Sequence, residues 1–264
     1  MFNIRSLGSE RSCELALARI MFGSEICCPG CRSRLSRGQD YWWCGHCRKK
    51  HRVKAVSWLK DARISYRELF VLVSCWQKRL SPGSVKHLTS LPYPTIRRWF
   101  SRFRVHLPKE TALLDGVVEV DEAFFGRQKH FNQRIVIGAI ERKSGQIRLA
   151  EIPDREQDSL EGFLFKNVAT TSLLHTDCHA GYYDLGWNGY GHQLHNHSLG
   201  HFRGTNRIEN VWSVAKRSIR RSHGQIRTEH LGEYLQEWEA RRNFPELFTN
   251  PLQYLKGVCS VIVH

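Results

Sequence analysis

Two closely spaced pairs of cysteines constrain the fold of this chain more than any other feature of its sequence. Cys28 and Cys31 form one Cys-x-x-Cys pair, and Cys44 and Cys47 form a second pair twelve residues later. A tight turn through each pair would bring the four sulfurs to one point, and four thiolates in a tetrahedral arrangement are typical of structural Zn²⁺ sites. The pattern therefore predicts a zinc ribbon over residues 25–54, with no ligand position left open.

Two neighbouring residues compete for a place in this site. Cys27 adjoins Cys28, and His46 lies inside the second pair. The spacing favours the four cysteines of the two pairs, and unrelated core cysteines are the remaining alternative. The chain has nine cysteines in all, an odd number, which in an intracellular protein indicates metal ligands and free thiols before disulfides.

Positive charge is concentrated in the first part of the chain. Up to Glu110 there are 22 Lys and Arg against 7 Asp and Glu, and the remainder has 18 against 18, which together give the net charge of +15. A basic segment of this kind attracts nucleic acid by neutralising phosphates, although a high isoelectric point can also serve solubility alone. Near the second cysteine pair, basic residues alternate with aromatic ones, which is typical of a nucleic-acid surface. The candidate DNA contacts there are Arg48, Lys49 and Lys50.

Residues 55–107 contain helical segments separated by tight turns. A capping-box pattern at Ser65 starts one helix, and the segment 95–104 combines an apolar stripe at helical spacing with several arginines. Two helices with a tight turn and an arginine-rich second helix are typical of a helix-turn-helix that enters the major groove, and an ordinary basic surface helix is the alternative. The arginines predicted to face outward towards DNA are Arg97, Arg98, Arg102 and Arg104.

An apolar, strand-like run over residues 117–126 is interrupted by acidic residues. In an extended chain alternate residues share a face, so Glu119 and Asp121 point one way and Glu122 points the other way. An acid in a buried strand needs a partner, and oxygen ligands suit Mg²⁺ or Mn²⁺. The alternative is a strand end whose acids are solvated.

Two later acids favour the metal hypothesis. Asp177 ends a second short apolar run, and Glu209 lies on a helix whose polar stripe also contains Lys216. Acids from two strands and a helix suit two-metal phosphoryl transfer, in which carboxylates hold metals about 4 Å apart. A lysine nearby would contact a phosphate. Asn206 and Glu209 could instead be the cap of the helix and its partner in the first turn.

Three segments resemble the signatures of bacterial DDE insertion-sequence transposases of the ISXO type, which are related to the eukaryotic Merlin elements. They are Val-Asp-Glu-Ala-Phe-Phe-Gly at 120–126, Thr-Asp-Cys-His-Ala-Gly-Tyr at 176–182 and Asn-Arg-Ile-Glu-Asn-Val-Trp-Ser-Val-Ala-Lys-Arg at 206–217. The resemblance extends from about residue 10 to residue 254. The chain departs from the family pattern at 178–180, where Cys-His-Ala replaces an expected Gly-Trp-Lys.

The resemblance implies a catalytic site and its cofactors. Asp121, Asp177 and Glu209 would hold catalytic Mg²⁺ or Mn²⁺, with Lys216 seven residues after the glutamate. Some relatives have asparagine as the third ligand, so Asn206 and Asn210 remain candidates to substitute for or neighbour Glu209 in that role. The implied substrate is double-stranded DNA, both the terminal inverted repeats of an element and its target. A homodimer or larger assembly on DNA is expected, because two element ends must be held together.

The expected architecture is an α/β, ribonuclease H-like catalytic domain preceded by a zinc ribbon and a helix-turn-helix. A hairpin, a helix, a strand and a further helix follow the first acidic strand, and the family resemblance selects this fold among α/β layouts. No apolar run is long enough for a membrane span, and the start lacks an apolar signal region, so a cytoplasmic, nucleoid-associated bacterial protein is expected. The predicted domains are residues 1–24 (N-terminal helix), 25–54 (ribbon), 55–107 (helix-turn-helix) and 115–264 (catalytic).

The sequence is also compatible with other functions and with a second metal site. The chain could be a non-catalytic DNA-binding regulator derived from a transposase, or a structure-selective nuclease of similar fold. A histidine-rich segment could form a second metal site, although such histidines more often contact phosphates or form hydrogen bonds. Its histidines are His192, His195, His197 and His201.

Overall fold

The computed structural model describes residues 8–126, 132–195, 204–223 and 228–259. The described part of the chain divides into two units. The first unit contains the residues up to Pro108 together with those from Glu246 onward, and the second contains Lys109–Pro245. No helix within the described ranges is both long and apolar enough to cross a membrane.

The first unit begins with a helix followed by a small antiparallel sheet. Ser9 caps the helix by accepting a hydrogen bond from the backbone N–H of Ser12 at 3.2 Å. The buried carboxylate of Glu14 pairs with Arg37 at 2.5 Å and so ties the helix to the sheet. These elements are α1 (Glu10–Phe22), β1 (Ser36–Arg37), β2 (Trp42–Cys44) and β3 (Lys49–His51), in the sheet order β1-β2-β3.

Three helices complete the N-terminal part of this unit. The predicted capping box is present, since Ser65 accepts from the backbone N–H of Glu68 and the Glu68 carboxylate accepts from that of Ser65. The segment 95–104 is helical, with Ile96 and Phe103 fully buried. The helices are α2 (Tyr66–Gln77), α3 (Pro82–Leu88) and α4 (Tyr93–Val105).

The second unit is built around a five-stranded sheet. Its elements are β4 (Val117–Phe125), β5 (Arg134–Glu141), β6 (Ile147–Ile152), α5 (Gln157–Asn167), β7 (Leu173–Asp177), β8 (Gly191–His195), α6 (Asn206–His223) and α7 (Leu231–Asn243). The strand order is β6-β5-β4-β7-β8. The pairs β4–β5 and β5–β6 are antiparallel, whereas β4–β7 and β7–β8 are parallel. This confirms the predicted ribonuclease H-like α/β fold, with the acidic strand β4 at the centre.

Each face of the sheet has its own apolar core. Val118 and Val120 of β4 pack with apolar residues of α5 on one face. Ala123 and Phe125 pack with residues of α6 and α7 on the other face. The predicted alternation along β4 places Asp121 on the opposite face from Val118 and Val120, and α6 covers that face.

A glycine allows α6 to approach the centre of the sheet. Gly138 on β5 is the cross-strand partner of Asp121. A Cβ atom at position 138 would lie 2.5 Å from the Trp212 ring, closer than van der Waals contact permits. The indole of Trp212 therefore occupies the space that a larger residue on β5 would fill, directly beside Asp121.

The C-terminal helix lies in the first unit and not in the second. Helix α8 (Pro251–Cys259) belongs to the first unit, whereas the predicted catalytic domain, residues 115–264, includes it. Its Tyr254 is fully buried, packs edge-on against Trp76 with ring centroids 5.1 Å apart, and donates a hydrogen bond to the Phe103 carbonyl at 2.9 Å. These aromatic contacts with α2 and α4 account for its placement.

Candidate active site and metal centre

The four predicted cysteines of the ribbon converge. The Sγ atoms of Cys28, Cys31, Cys44 and Cys47 all lie within 4.8 Å of one another. In the part of the chain that the structure describes, they form the only set of three or more His, Cys, Asp or Glu side chains placed to hold a metal ion. The rival Cys27, like His46, lies outside this set. Four thiolates at this separation fit a structural Zn²⁺ ion.

Local backbone geometry shapes both cysteine turns. The residue after each pair is an arginine in the left-handed region, with φ of 63° at Arg32 and 52° at Arg48. The backbone N–H of Cys47 donates to the Cys44 sulfur at 3.3 Å. Hydrogen bonds from Ser33 lower the pKa of the Cys31 thiol to about 6. These hydrogen bonds favour the thiolate, the form that binds metal, at Cys44 and Cys31, whereas the contact with Cys31 raises the pKa of the Cys47 thiol to about 12.

Asp121 lies on β4 under helix α6. Its Oδ2 atom accepts a hydrogen bond from the indole N–H of Trp212 at 3.1 Å. Burial and, to a smaller extent, the negative charges of Asp177 and Glu209 together raise the pKa of Asp121 to about 6, against the lowering effect of its hydrogen bonds. The three predicted acids therefore share one electrostatic neighbourhood, although they come from three separate elements.

Asp177 ends strand β7, and its side chain is 35% exposed. The backbone N–H of His179 donates to Oδ1 at 3.0 Å, and Arg155 lies 3.8 Å from Oδ2. Arg155 also pairs with Glu122 at 2.7 Å. The hydroxyl of Tyr182 donates to Glu122 as well, and burial raises the pKa of that carboxyl to about 7. Arg155 therefore contacts both Asp177 and Glu122, and Glu122 is a buried acid on the α5 face of the sheet.

Glu209 and Lys216 lie on helix α6. Glu209 is exposed and accepts a hydrogen bond from the Thr205 hydroxyl at 2.9 Å. The helix begins at Asn206, so Asn206 does not act as a cap with Glu209 in the first turn. The Lys216 Nζ atom lies 5.4 Å from the centre of the Phe125 ring on β4, which places it on the side of α6 that faces the sheet.

The three acids are arranged differently from the cysteines. They do not form a compact set around one point. Two-metal chemistry does not require one, because its carboxylates are distributed over two ions about 4 Å apart. An all-oxygen donor set fits Mg²⁺ or Mn²⁺ and does not favour Zn²⁺, which prefers sulfur and nitrogen.

A further buried acid, Glu119 on β4, also contacts α6, and its residue type and position alone predicted no role for it. It is 1% exposed and pairs with Arg142 at 2.8 Å. It also accepts hydrogen bonds from the backbone N–H groups of Arg207 and Ile208 on α6. The available signal was its position two residues before Asp121 on the same face of β4.

The arginines of helix α4 divide into two groups. Arg97 and Arg98 are exposed, as predicted for DNA contacts. Arg102 and Arg104 do not face outward. Arg102 donates to the Trp58 carbonyl at 2.6 Å and lies over the Trp99 ring at 4.6 Å, and Arg104 is only 5% exposed. The C-terminal part of α4 is enclosed because the helix packs against both α2 and α3.

The basic residues of the ribbon are accessible. Arg48, Lys49 and Lys50 are exposed at β3 and the turn before it. Lys50 lies 4.5 Å from the centre of the Tyr41 ring, whereas Trp42 is buried in the small core of the ribbon. The basic side chains are therefore available to phosphates, and Trp42 has a packing role.

The described histidines near β8 are engaged in hydrogen bonds. The Nε2 atom of His195 lies 2.7 Å from Nδ1 of His175, and His192 lies 2.9 Å from the Thr176 hydroxyl. These contacts fit the hydrogen-bonding alternative. His197 and His201 lie outside the described residues.

The strand order, with helices on both faces, defines the class of the second unit as a ribonuclease H-like α/β domain. Residues 113–243 match the model of the ISXO2-like transposase domain. This part of the chain belongs to the ISXO2-like transposase family, and the protein is a DDE-type DNA transposase. No curated protein matches the sequence.

Similar solved structures include retroviral integrase catalytic cores. The HTLV-2 integrase core in complex with magnesium, in its dimeric form, is 9% identical and covers 51% of this chain and 90% of its own, with a TM-score of 0.37. The BIV integrase core is 13% identical and covers 48% of this chain and 82% of its own, with a TM-score of 0.35. Scores this low do not establish a common fold, which here rests on the strand order and the family match.

Proposed function

We propose that this transposase cleaves DNA at the terminal inverted repeats of an insertion sequence and transfers the exposed strand ends into target DNA. The observation that supports this proposal is electrostatic. Asp177 and Glu209, on separate elements, both raise the pKa of buried Asp121. Three acids that share a neighbourhood in a transposase-family domain are suited to bind the cations that phosphoryl transfer requires.

In this proposal the acids, Trp212 and Lys216 have separate roles. Asp121, Asp177 and Glu209 hold Mg²⁺ or Mn²⁺, with Asn206 as a candidate contributor beside Glu209. The bound metal supplies stabilisation of charge on the attacking and leaving oxygens. Trp212 orients the Asp121 carboxylate through its N–H group. Lys216 contacts a phosphate oxygen of the DNA.

DNA binding is proposed for the basic first part of the chain. Arg48, Lys49 and Lys50 on the zinc ribbon neutralise backbone phosphates, and Arg97 and Arg98 on α4 approach the major groove as part of a helix-turn-helix. The ribbon, the helix-turn-helix and the ribonuclease H-like domain thus have separate tasks. We propose that at least two copies assemble on DNA, because two element ends are processed together, and that the protein acts at the nucleoid of a bacterial cytoplasm.

A plasmid assay tests the proposal. A supercoiled donor plasmid carrying two inverted-repeat ends is incubated with the protein, a target plasmid and Mg²⁺. We expect strand cleavage at the ends and joined products with the wild type, and neither with Asp121→Ala. The matched control is Asp158→Ala, which removes an exposed aspartate from helix α5 of the same domain and should leave cleavage unchanged.

Other outcomes would identify the alternatives. Repeat binding without cleavage by the wild type would indicate a DNA-binding regulator. Cleavage of junctions without joining of ends would indicate a structure-selective nuclease. Cleavage that persists in Asp121→Ala would overturn the proposed site.

A further inference from the structure

A buried carboxylate caps helix α6 from the neighbouring strand. The Oε2 atom of Glu119 accepts hydrogen bonds from the backbone N–H groups of Arg207 at 2.8 Å and Ile208 at 3.2 Å. These groups belong to the first turn of the helix, where N–H groups have no partner within the helix itself. A negative charge at this end is also favoured by the helix dipole. Glu119 therefore fixes the start of the helix that carries Glu209.

Arg142 holds the same helix start from a second direction. Its Nε atom donates to Oε1 of Glu119 at 2.8 Å, and its Nη2 atom donates to the carbonyl of Gly204 at 2.9 Å, just before the helix. The guanidinium of Arg207 donates in turn to the backbone carbonyl of Arg142. The first turn and Gly204 before it are thus both attached to one ion pair through charge-assisted hydrogen bonds.

Apolar packing alone does not explain this arrangement. Ile208 and Trp212 already attach α6 to the sheet, and a buried ion pair is often no more stabilising than well-packed apolar residues. Apolar contacts leave the start of the helix and its rotation about its axis adjustable. Directional hydrogen bonds fix both. Rotation matters here because a slip of one residue turns each side chain by about 100°.

We propose that Glu119 and Arg142 are positioning residues that set the start and rotation of α6, so that Glu209 is directed towards Asp121 and the proposed metal site. This inference rests on the proposed function of that site. Neither residue touches the metal or the DNA in this role. They act through the position of Glu209.

Glu119→Gln tests the inference, because glutamine keeps an acceptor oxygen but loses the ion pair. We expect Mn²⁺ binding, measured by titration calorimetry, to weaken about tenfold, as for other residues that orient metal ligands. The Mg²⁺ concentration for half-maximal cleavage should rise by a similar factor, with the rate partly restored at saturating Mg²⁺. In hydrogen exchange, the amides of Arg207 and Ile208 should exchange faster.

Glu151→Gln is the matched control. It makes the same substitution in the same sheet, where Glu151 forms an exposed pair with Arg134 at 3.4 Å, and should bind Mn²⁺ like the wild type. A folded Glu119→Gln that also matches the wild type in Mn²⁺ affinity would overturn the inference.

A second variant covers the case in which Glu119→Gln does not fold. Arg142→Lys keeps the positive charge but loses the planar fork that reaches both Glu119 and Gly204. It should shift Mn²⁺ affinity in the same direction by a smaller factor, and an unchanged affinity would contradict the inference. Failure of the proposed function is distinguishable, because the wild type would then show no Mn²⁺ binding or cleavage that depends on Asp121.

Discussion

The zinc ribbon and the acidic site bring their candidate metal ligands together by different means. The four cysteines lie within 20 residues of one another in the sequence, and two short turns are enough to bring their sulfurs within 4.8 Å. The acids extend from Asp121 to Glu209 and lie on two strands and a helix. Each acid is held by a different partner, which is an indole, a backbone N–H group or a hydroxyl. Sequence spacing specifies the first site, whereas tertiary packing specifies the second.

This difference predicts opposite responses to the loss of one ligand. In the ribbon a bound zinc ion would substitute for a large apolar core, so the local fold should depend on it. In the second unit the two cores on either side of the sheet form without help from the acids. The loss of a carboxylate should therefore remove activity and leave the fold intact.

The largest effect is expected from Cys44→Ser. Cys44 is fully buried, and structural zinc contributes about 10–16 kcal/mol of apparent binding free energy in small zinc domains. We expect bound zinc, measured by mass spectrometry, to fall from one ion per chain to none, and hydrogen exchange over residues 25–54 to increase. Cys27→Ser is the control and should retain its zinc. If hydrogen exchange over residues 25–54 stayed slow in the zinc-free variant, the ribbon would not depend on its metal, and the two sites would not differ in this respect.

The next effect is expected from Asp177→Asn. Loss of one preorganised charge at a reaction centre costs about 100- to 1,000-fold in rate, and we expect cleavage of the donor plasmid to fall within that range. The side chain is 35% exposed, so the free energy of unfolding in urea should change by no more than about 1 kcal/mol. Asp184→Asn, an exposed neighbour in the following loop, should leave both quantities unchanged. A large loss of stability in Asp177→Asn would show that the acidic site is also structural.

Much of the fold could be predicted because its patterns are periodic. The alternation along β4 placed Asp121 on one face, and Ile208 and Ala215, which lie seven residues apart and so on one side of a helix, are both buried in α6. Periodicity did not predict the burial of Arg104. A periodic pattern identifies one packed face of a helix, whereas α4 packs against two other helices, α2 and α3. The position of α8 was not predictable for a related reason, since the contact of Tyr254 with Trp76 joins residues far apart in the sequence.

The acidic site could be predicted only in its ligands. The residue types of the three acids and the family resemblance around them can be seen in the sequence. The groups that hold their side chains in place cannot. The partners of Glu119 on α6 are backbone N–H groups, which leave no trace in a sequence. Gly138 is needed because the Trp212 ring occupies the position of its Cβ atom, and that requirement depends on how α6 packs.

The smallest effect is expected from Trp212→Phe, which tests whether such supporting groups act on the site. Phenylalanine keeps an aromatic ring over Gly138 but loses the N–H group that donates to Asp121 at 3.1 Å. Partners of metal ligands typically contribute about tenfold or more to affinity or activity, so Mn²⁺ binding and Mg²⁺-dependent cleavage should each weaken by about that factor. Zinc content should not change, because the ribbon is closed by its own turns.

Trp238→Phe is the control for this substitution. Trp238 is buried in the same core but lies on α7, which carries none of the proposed site residues. Both variants remove similar apolar area, so their free energies of unfolding, measured in urea, should fall by a similar amount, about 1 kcal/mol. Only Trp212→Phe should weaken Mn²⁺ binding. Equal Mn²⁺ affinities in the two variants would mean that the carboxylate of Asp121 is placed by its strand alone, and the acidic site would then resemble the ribbon in being fixed locally.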